Sequence, residues 1–118
     1  MTADAMTRLA TYGTLRPGRS NHDQLTGLRG MWTTGSVRGV LYAESWGAAQ
    51  GYPGLILDPT AEPVEIDILQ SDDLPDHWAR LDAFEGEGYA RVVAEVSTAD
   101  GPVAACLYVL TAERPTIA

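Results

Sequence analysis

Glu85 is the side chain whose type and position in this sequence most directly suggest chemistry. At about 100° per residue along a helix, it falls on the same face as Leu74, Trp78 and Leu81. Apolar surroundings and the partial negative charge at the end of a helix both disfavour an ionised carboxylate, so we expect a raised pKa for Glu85. Such a carboxylate is a candidate proton acceptor. The alternative is a structural helix end, with Gly86 as a left-handed cap and Glu85 turned to solvent.

The loop over residues 13–20 is a second candidate site, because Gly13 directly follows the strand predicted over residues 8–12. A glycine at that point lets the backbone turn sharply and expose successive N–H groups. Such donors suit a carboxylate or another small anion. A plain surface loop is the commoner explanation of a Gly/Pro pattern of this kind, and the pattern alone leaves both open.

The other reactive residue types favour structural roles. All eight basic residues are arginines, which excludes Schiff-base chemistry, a P-loop lysine and a lysine base. His22 and His77 lack partners at ligand spacing, so we predict no metal site. Cys106 lies in an apolar segment and is predicted to be a buried thiol. Arg91 could pair with the nearby Glu87 or hold a substrate.

The length and composition predict a single domain over residues 1–118, with a core over residues 8–110 and a tail over residues 111–118. The formal net charge of −8, with the arginines scattered singly, argues against a nucleic-acid partner. No apolar run is long enough to span a bilayer, and residues 1–10 lack the apolar core of a secretory signal. We therefore expect a cytoplasmic protein without a membrane partner, and its single cysteine agrees with that compartment. The sequence does not specify the oligomeric state.

The periodicity of apolar residues predicts an α+β fold rich in strands. The predicted strands cover residues 8–12, 55–57, 64–69, 89–96 and 103–110, together with two short strands between residues 31 and 43 that are separated by a turn near Gly35. The apolar segments 55–57 and 103–110 are expected to be buried. Residues 98–101 have the composition of a hairpin turn. A small mixed β-barrel with flanking helices buries these apolar segments better than a doubly wound sheet, which needs a helix between most strands.

Two helical segments are predicted beside the strands. A short helix could begin over residues 21–25, with Asn21 as its N-cap. A longer helix contains Leu74 and Trp78, and any of the polar residues at positions 71–73 could cap it. Pro75 is tolerated there because it lies in the first turn.

Two segments, taken in order, resemble motifs of the γ-glutamylcyclotransferase-like superfamily. Residues 12–18 read Tyr-Gly-Thr-Leu-Arg-Pro-Gly and resemble its Tyr-Gly-Thr/Ser-Leu loop. Residues 81–86 read Leu-Asp-Ala-Phe-Glu-Gly and, with Tyr89 and Arg91, resemble its second motif. Residues 39–42 and 52–55 resemble a strand and a pocket-lining turn of the family, so the resemblance extends over about residues 9–110.

The resemblance implies a small mixed barrel with flanking helices, in agreement with the fold expected from burial. It also implies an enzyme that cyclises a γ-glutamyl group to 5-oxoproline and releases the attached amine or amino acid, without a cofactor. Glu85 matches the family's catalytic glutamate. The implied substrate-binding residues are Tyr12, Gly13, Thr14 and Leu15, whose loop backbone would hold the α-carboxylate, and Gly54 and Tyr89, which would line the pocket. The expected partner is therefore a small γ-glutamyl compound.

The strand over residues 64–69 departs from the family pattern, in which Val-x-Gly-Glu precedes an apolar and an aromatic residue. Ile66 stands in place of the glycine and Leu69 in place of the aromatic residue, so the pocket could be narrowed. Thr11 also replaces an apolar residue. The altered strand motivates an alternative, a non-catalytic small-molecule-binding domain that retains the pocket. A small hydrolase that uses Ser45, in a partial nucleophile elbow, is a third hypothesis.

Overall fold

The computed structural model describes residues 5–13, 15–19, 22–42 and 53–111. These residues form six strands and one α-helix, which are β1 (Arg8–Thr11), β2 (Met31–Tyr42), β3 (Gly54–Leu57), β4 (Pro63–Gln70), α1 (Trp78–Glu85), β5 (Tyr89–Thr98) and β6 (Gly101–Leu110). Short 3-10 helices cover Ala5–Thr7, His22–Gln24 and Leu74–Asp76. Among these elements no helix is both long enough and apolar enough to cross a bilayer.

Five of the described strands close into a barrel in the order β2, β4, β1, β6 and β5. The barrel is closed by the pairing of β2 with β5, where Ser36 lies opposite Ser97. Strand β1 runs parallel to β6, and the other pairings are antiparallel, so the barrel is mixed. Strand β3 is an additional strand, paired with β2. The predicted fold class, an α+β mixed barrel with flanking helices, is confirmed.

The strands separate two groups of buried side chains because alternate residues face opposite sides of a strand. The barrel interior is aliphatic and contains Ala10, Val37, Leu55, Ile66, Ile68, Val96, Ala105 and Leu107. The second group packs between the barrel wall and α1, and it contains Leu9, Leu15, Leu25, Leu28, Leu69, Leu74, Trp78, Leu81, Cys106 and Tyr108. The predictions of a covered strand at 103–110 and of a buried Cys106 thiol are therefore confirmed.

Strand β2 corrects the prediction of two short strands with a turn near Gly35. Its 12 residues form one strand, which pairs with β4 over Met31–Arg38 and with β3 over Gly39–Tyr42. A Cβ atom on Gly35 would lie 2.7 Å from the carbonyl oxygen of Ser97. The glycine at position 35 is therefore explained by the close approach of β5 where the barrel closes. A close approach between strands and a turn both favour glycine, so the residue type alone does not separate them.

The helical segment after β4 also differs from the prediction. It is divided into the 3-10 turn Leu74–Asp76 and the α-helix Trp78–Glu85, with His77 between them. Because Leu74 precedes a proline, its α-helical conformation is disfavoured, which accounts for the separate first turn. The Oγ of Ser71 accepts a hydrogen bond from the Asp73 N–H over 3.1 Å, whereas Asp73 makes no side-chain cap.

Two smaller expectations differ in part. Strand β3 is buried at Leu55 but 38% exposed at Leu57, because it pairs along one edge only with β2 among the described strands. The short helix near residue 21 is the 3-10 turn His22–Gln24, and its proposed cap Asn21 lies outside the described residues. The hairpin turn predicted at residues 98–101 is confirmed, with Thr98 opposite Gly101.

We predict that Gly35→Ala destabilises the protein by about 1 to 3 kcal/mol, because the new methyl group must displace backbone rather than a flexible side chain. The matched control is Gly27→Ala, since nothing lies within 4 Å of a Cβ at the exposed Gly27. Urea denaturation of both variants measures the difference. Equal stabilities of the two variants would show that the approach of β5 to β2 is looser than the structure indicates.

Candidate active site

The C-terminal end of α1 meets one end of the barrel, and hydrogen bonds of two tyrosines hold that end together. The Tyr12 hydroxyl, just after β1, donates to the Tyr108 carbonyl oxygen of β6 over 2.7 Å. It also accepts the Leu55 N–H of β3 over 3.2 Å. The Tyr89 hydroxyl of β5 donates to the carbonyl oxygen of Pro53, the residue before β3. Four strand ends are thus joined by two phenol groups.

Glu85, the last residue of α1, is half-buried at this end of the barrel. Burial raises the pKa of its carboxyl from 4.5 to about 7. The described residues give this carboxylate no hydrogen bond or ion pair, and within this part of the chain nothing offsets the desolvation of its charged form. The raised pKa expected from the apolar helix face is confirmed, and burial is its cause. Glu85 can accept and return a proton near neutral pH.

Gly86 ends the helix in the way that the turn towards β5 requires. Its N–H donates to the Asp82 carbonyl oxygen over 3.0 Å, and its φ of 81° lies in the region that favours glycine. Its ψ of −173° is extended. The left-handed cap, which was the alternative explanation of this helix end, therefore matches the structure in φ but not in ψ. The extended ψ directs the chain away from the helix, and β5 begins three residues later at Tyr89.

The burial of Tyr12 raises the pKa of its phenol, and the neighbouring Tyr89 and Glu85 act in the same direction. Tyr108 behaves similarly: burial, then its hydrogen bond to Asp82, raise its pKa, and the charge of Glu85 adds to the effect. The hydroxyls of Tyr12 and Tyr108 therefore lie within the electrostatic field of Glu85. Both phenols remain protonated at neutral pH and act as hydrogen-bond donors.

Asp82 and Tyr108 are two polar residues of this region that the sequence analysis did not single out for a role. The Tyr108 hydroxyl donates to Asp82 Oδ1 over 2.6 Å. Arg91 donates to both oxygens of the same carboxylate, from Nε over 2.9 Å and from Nη2 over 3.2 Å. The guanidinium also lies 4.5 Å above the centre of the Trp78 ring. The suggested pairing of Arg91 with Glu87 is therefore wrong, since Asp82 is its partner.

An ion pair anchors the loop that follows β1. Arg16 donates from Nε to Asp67 Oδ2 of β4 over 2.7 Å, and both side chains are about one-fifth exposed. Leu15 is buried, and its carbonyl oxygen lies 3.0 Å from His22 Nδ1. The Gly13 carbonyl oxygen accepts the Arg16 N–H over 3.2 Å, which forms a tight turn. The loop is thus fixed to the barrel wall by the Arg16 side chain.

The structure brings most of the residues proposed for substrate binding to this end of the barrel. A Cβ on Gly13 would lie 3.7 Å from the Pro53 ring, and the buried Gly54 is the next residue along β3. Tyr12 and Tyr89 join the same segment through their hydroxyls. Thr14 and Ser45 lie outside the described residues. The roles proposed for these residues in substrate binding stay predictions.

Ile66, which was expected to narrow the pocket, lies in the barrel interior, and its effect on the pocket stays a prediction. It is fully buried among the aliphatic side chains of the barrel interior and lies opposite Gly35 in the pairing of β2 with β4. The next residue, Asp67, supplies the carboxylate that holds Arg16. The altered strand therefore keeps an acidic residue where the resemblance has glutamate.

Within the described part of the chain, no group of three or more His, Cys, Asp or Glu side chains could hold a metal ion. The expectation of a site without a metal or cofactor stays a prediction.

A family model described as γ-glutamyl cyclotransferase, AIG2-like, matches residues 9–117. Among solved structures, YkqA from Bacillus subtilis is 25% identical with a TM-score of 0.69, and the match covers 92% of this chain but 37% of YkqA. An AIG2-like protein from Mus musculus is 22% identical with a TM-score of 0.68, and the match covers 92% of this chain and 80% of the mouse chain.

The same fold occurs within a much larger enzyme. Allophanate hydrolase from Kluyveromyces lactis is 19% identical with a TM-score of 0.65, and the match covers 88% of this chain and 17% of that protein. At this identity the likeness concerns the fold alone. No curated protein matches the chain.

We predict that the burial of Glu85 makes folding stability depend on pH. Glu85 binds a proton more tightly in the folded protein than in the unfolded chain, so the stabilisation that this group contributes is fully present below about pH 4.5 and is lost as the pH rises through about 7. Relative to wild type, Glu85→Gln should therefore gain at most about 3 kcal/mol by pH 8, since one pKa unit corresponds to about 1.4 kcal/mol. Urea denaturation from pH 4 to 8 measures the difference.

The matched control for this measurement is Glu87→Gln, which removes an exposed carboxylate two residues away. Its stability should follow that of wild type across the range. If the free energies of unfolding of wild type and Glu85→Gln changed in parallel with pH, Glu85 would be solvated in the folded protein.

Proposed function

Because this chain belongs to the AIG2-like γ-glutamyl cyclotransferase family, we propose that it converts a small γ-glutamyl-amine, or a γ-glutamyl-tagged metabolite, to 5-oxoproline and a free amine. The family supports cyclotransferase activity in general. The observation that carries the specific proposal is the half-buried carboxyl of Glu85, whose pKa of about 7 suits proton transfer at neutral pH.

The proposed reaction uses Glu85 twice. The substrate's α-ammonium group first transfers a proton to the carboxylate, which leaves a neutral amine able to attack the γ-carbonyl carbon. A new C–N bond closes the five-membered ring, and the original bond between the γ-carbon and the leaving nitrogen then breaks. The leaving amine takes the proton from Glu85 as it departs, which restores the carboxylate. The ring nitrogen still carries one proton more than the lactam needs, and the released amine takes up that proton as an ammonium ion, so no atom or charge is left over.

The ring closure is intramolecular, so the main task of the site is to hold the substrate with its amine near its own γ-carbonyl. We assign the binding of the substrate's α-carboxylate to the backbone N–H groups of residues 13–15. The ion pair of Arg16 with Asp67 supports this assignment because it fixes the loop to β4.

Tyr12, Gly54 and Tyr89 are assigned to the wall of the pocket. The hydroxyls of both tyrosines are engaged with backbone atoms of residues 53, 55 and 108, so these rings are held in place and present their faces and edges rather than free hydroxyl groups. Rigid walls favour the reactive conformer of a flexible glutamyl chain because they reduce the alternatives open to it.

We predict that Glu85→Gln lowers the rate of 5-oxoproline formation about 10²- to 10⁴-fold, because the amide cannot accept the α-ammonium proton. A panel of γ-glutamyl amines and amino acids, assayed for 5-oxoproline, provides the measurement, and Glu87→Gln is the matched control. In wild type, kcat/KM should fall below about pH 7, where Glu85 becomes protonated.

Full activity of Glu85→Gln would exclude this mechanism. Absence of turnover on every compound of the panel, together with thermal stabilisation by 5-oxoproline or by a γ-glutamyl ligand, would instead identify a binding domain.

We also predict that Arg16→Gln raises the KM for the γ-glutamyl substrate about tenfold and changes kcat less, because a loosened loop binds the α-carboxylate less well. Arg19→Gln is the matched control, since Arg19 belongs to the same loop and its side chain is exposed. Steady-state kinetics of both variants give the comparison. Identical KM values for the two variants would remove the assigned role of the ion pair.

A further inference from the structure

Asp82 lies three residues before Glu85, and positions three apart on a helix are neighbours on its surface. Its carboxylate accepts the Tyr108 hydroxyl over 2.6 Å and the Arg91 guanidinium over 2.9 and 3.2 Å. Although burial opposes the ionisation of Asp82, the hydrogen bonds from Arg91 and Tyr108 lower its pKa. Asp82 is therefore the charged centre of a network one helical turn from Glu85.

Four side-chain donors at this end of the barrel come from β5, from β6 and from the residue after β1, and each of them is engaged elsewhere. Tyr12, which follows β1, donates to the Tyr108 carbonyl oxygen, and Tyr89 of β5 donates to the Pro53 carbonyl oxygen. Tyr108 of β6 and Arg91 of β5 both donate to Asp82. No described side chain donates to Glu85, although Tyr12 and Tyr108 lie within its electrostatic field.

Of these four donors, Tyr108 and Arg91 donate to a side-chain carboxylate that substitution can remove. The other two donate to backbone carbonyl groups, which any side-chain change at position 82 leaves in place. Arg91 has further contacts, since its Nη1 lies 3.7 Å from Met6 Sδ and its guanidinium lies 4.5 Å from the centre of the Trp78 ring. Without Asp82, the Tyr108 hydroxyl would need another acceptor at this end of α1.

We infer that Asp82 is a positioning residue, which preserves Glu85 as a proton acceptor by binding the Tyr108 hydroxyl and by holding a negative charge one helical turn away. A hydrogen bond to a carboxylate favours its charged form and makes it a weaker base, whereas a neighbouring negative charge has the opposite effect. Loss of Asp82 would free the Tyr108 hydroxyl, which lies within the electrostatic field of Glu85, to donate to Glu85 and would also remove the neighbouring negative charge. Both consequences make Glu85 easier to ionise and less able to take a proton from an ammonium group.

The inference is tested on the ligand-free protein by carboxyl carbon NMR. The Glu85 signal is assigned by its loss in Glu85→Gln and titrated in wild type, Asp82→Ala, Tyr108→Phe and the double variant. Asp82→Ala should lower the midpoint of Glu85 by at least about one pH unit. Tyr108→Phe alone should leave the midpoint near that of wild type, whereas Tyr108→Phe added to Asp82→Ala should raise it again, because the released hydroxyl is absent.

A wild-type midpoint in folded Asp82→Ala would overturn the inference, as would equal midpoints in Asp82→Ala and the double variant. If Asp82→Ala does not fold, Asp82→Asn carries the test: it keeps an acceptor for Tyr108 but loses the charge that holds Arg91. A lowered midpoint in Asp82→Asn supports the inference, and an unchanged midpoint contradicts it.

The kinetic part of the test rests on the proposed function and has a separate outcome. In Asp82→Ala, the acidic limb of the kcat/KM profile should move down with the NMR midpoint, because both report the ligand-free protein, and KM should change little. An inactive wild type whose Glu85 midpoint still responds to Asp82 would refute the cyclotransferase but not the role of Asp82. Active variants with unshifted midpoints would refute the role of Asp82 and leave the reaction intact.

Discussion

Strand β6 is covered on both faces, since Ala105 and Leu107 point into the barrel while Cys106 and Tyr108 point towards α1. It pairs with β1 on one edge and with β5 on the other. The two cores therefore share β6, as they also share β1 and β4, and any shift of the β6 register would move side chains of both. The candidate site inherits this rigidity, because Tyr108 offers its carbonyl oxygen to Tyr12 and its hydroxyl to Asp82.

The position of Glu85 reflects a conflict between packing and solvation. The helix buries Trp78 and Leu81 against the barrel, and the same face carries Glu85 into surroundings where its charge is poorly solvated. Burying a carboxyl without partners lowers stability above its pKa. A fold that keeps such a group must gain enough from the adjoining apolar contacts, which here include ten buried residues between the barrel and α1. Functional sites commonly combine stability costs of this kind with a chemical use.

Local sequence patterns were sufficient for the barrel but not for every element in it. Alternation and two-sided apolarity predicted β4, β5 and β6, and the apolar helix face predicted the environment of Glu85. Gly35 was misassigned to a turn because glycine serves turns and close strand approaches equally, and only the position of Ser97 separates the two. The contacts of Asp82 with Arg91 and Tyr108 span 9 and 26 residues, and nothing local in the sequence specifies such partners.

Strand β3 is short and, among the described strands, pairs only with β2, so the backbone groups of its other edge need partners other than a strand of this part of the chain. Two of those groups already have partners within the chain: the Leu55 N–H donates to Tyr12, and the carbonyl oxygen of the preceding Pro53 accepts from Tyr89. The phenol groups thus act in place of a neighbouring strand. The same two tyrosines that hold the candidate site together thus also satisfy backbone groups at this edge of the sheet, which leaves fewer of them for strand pairing with another molecule.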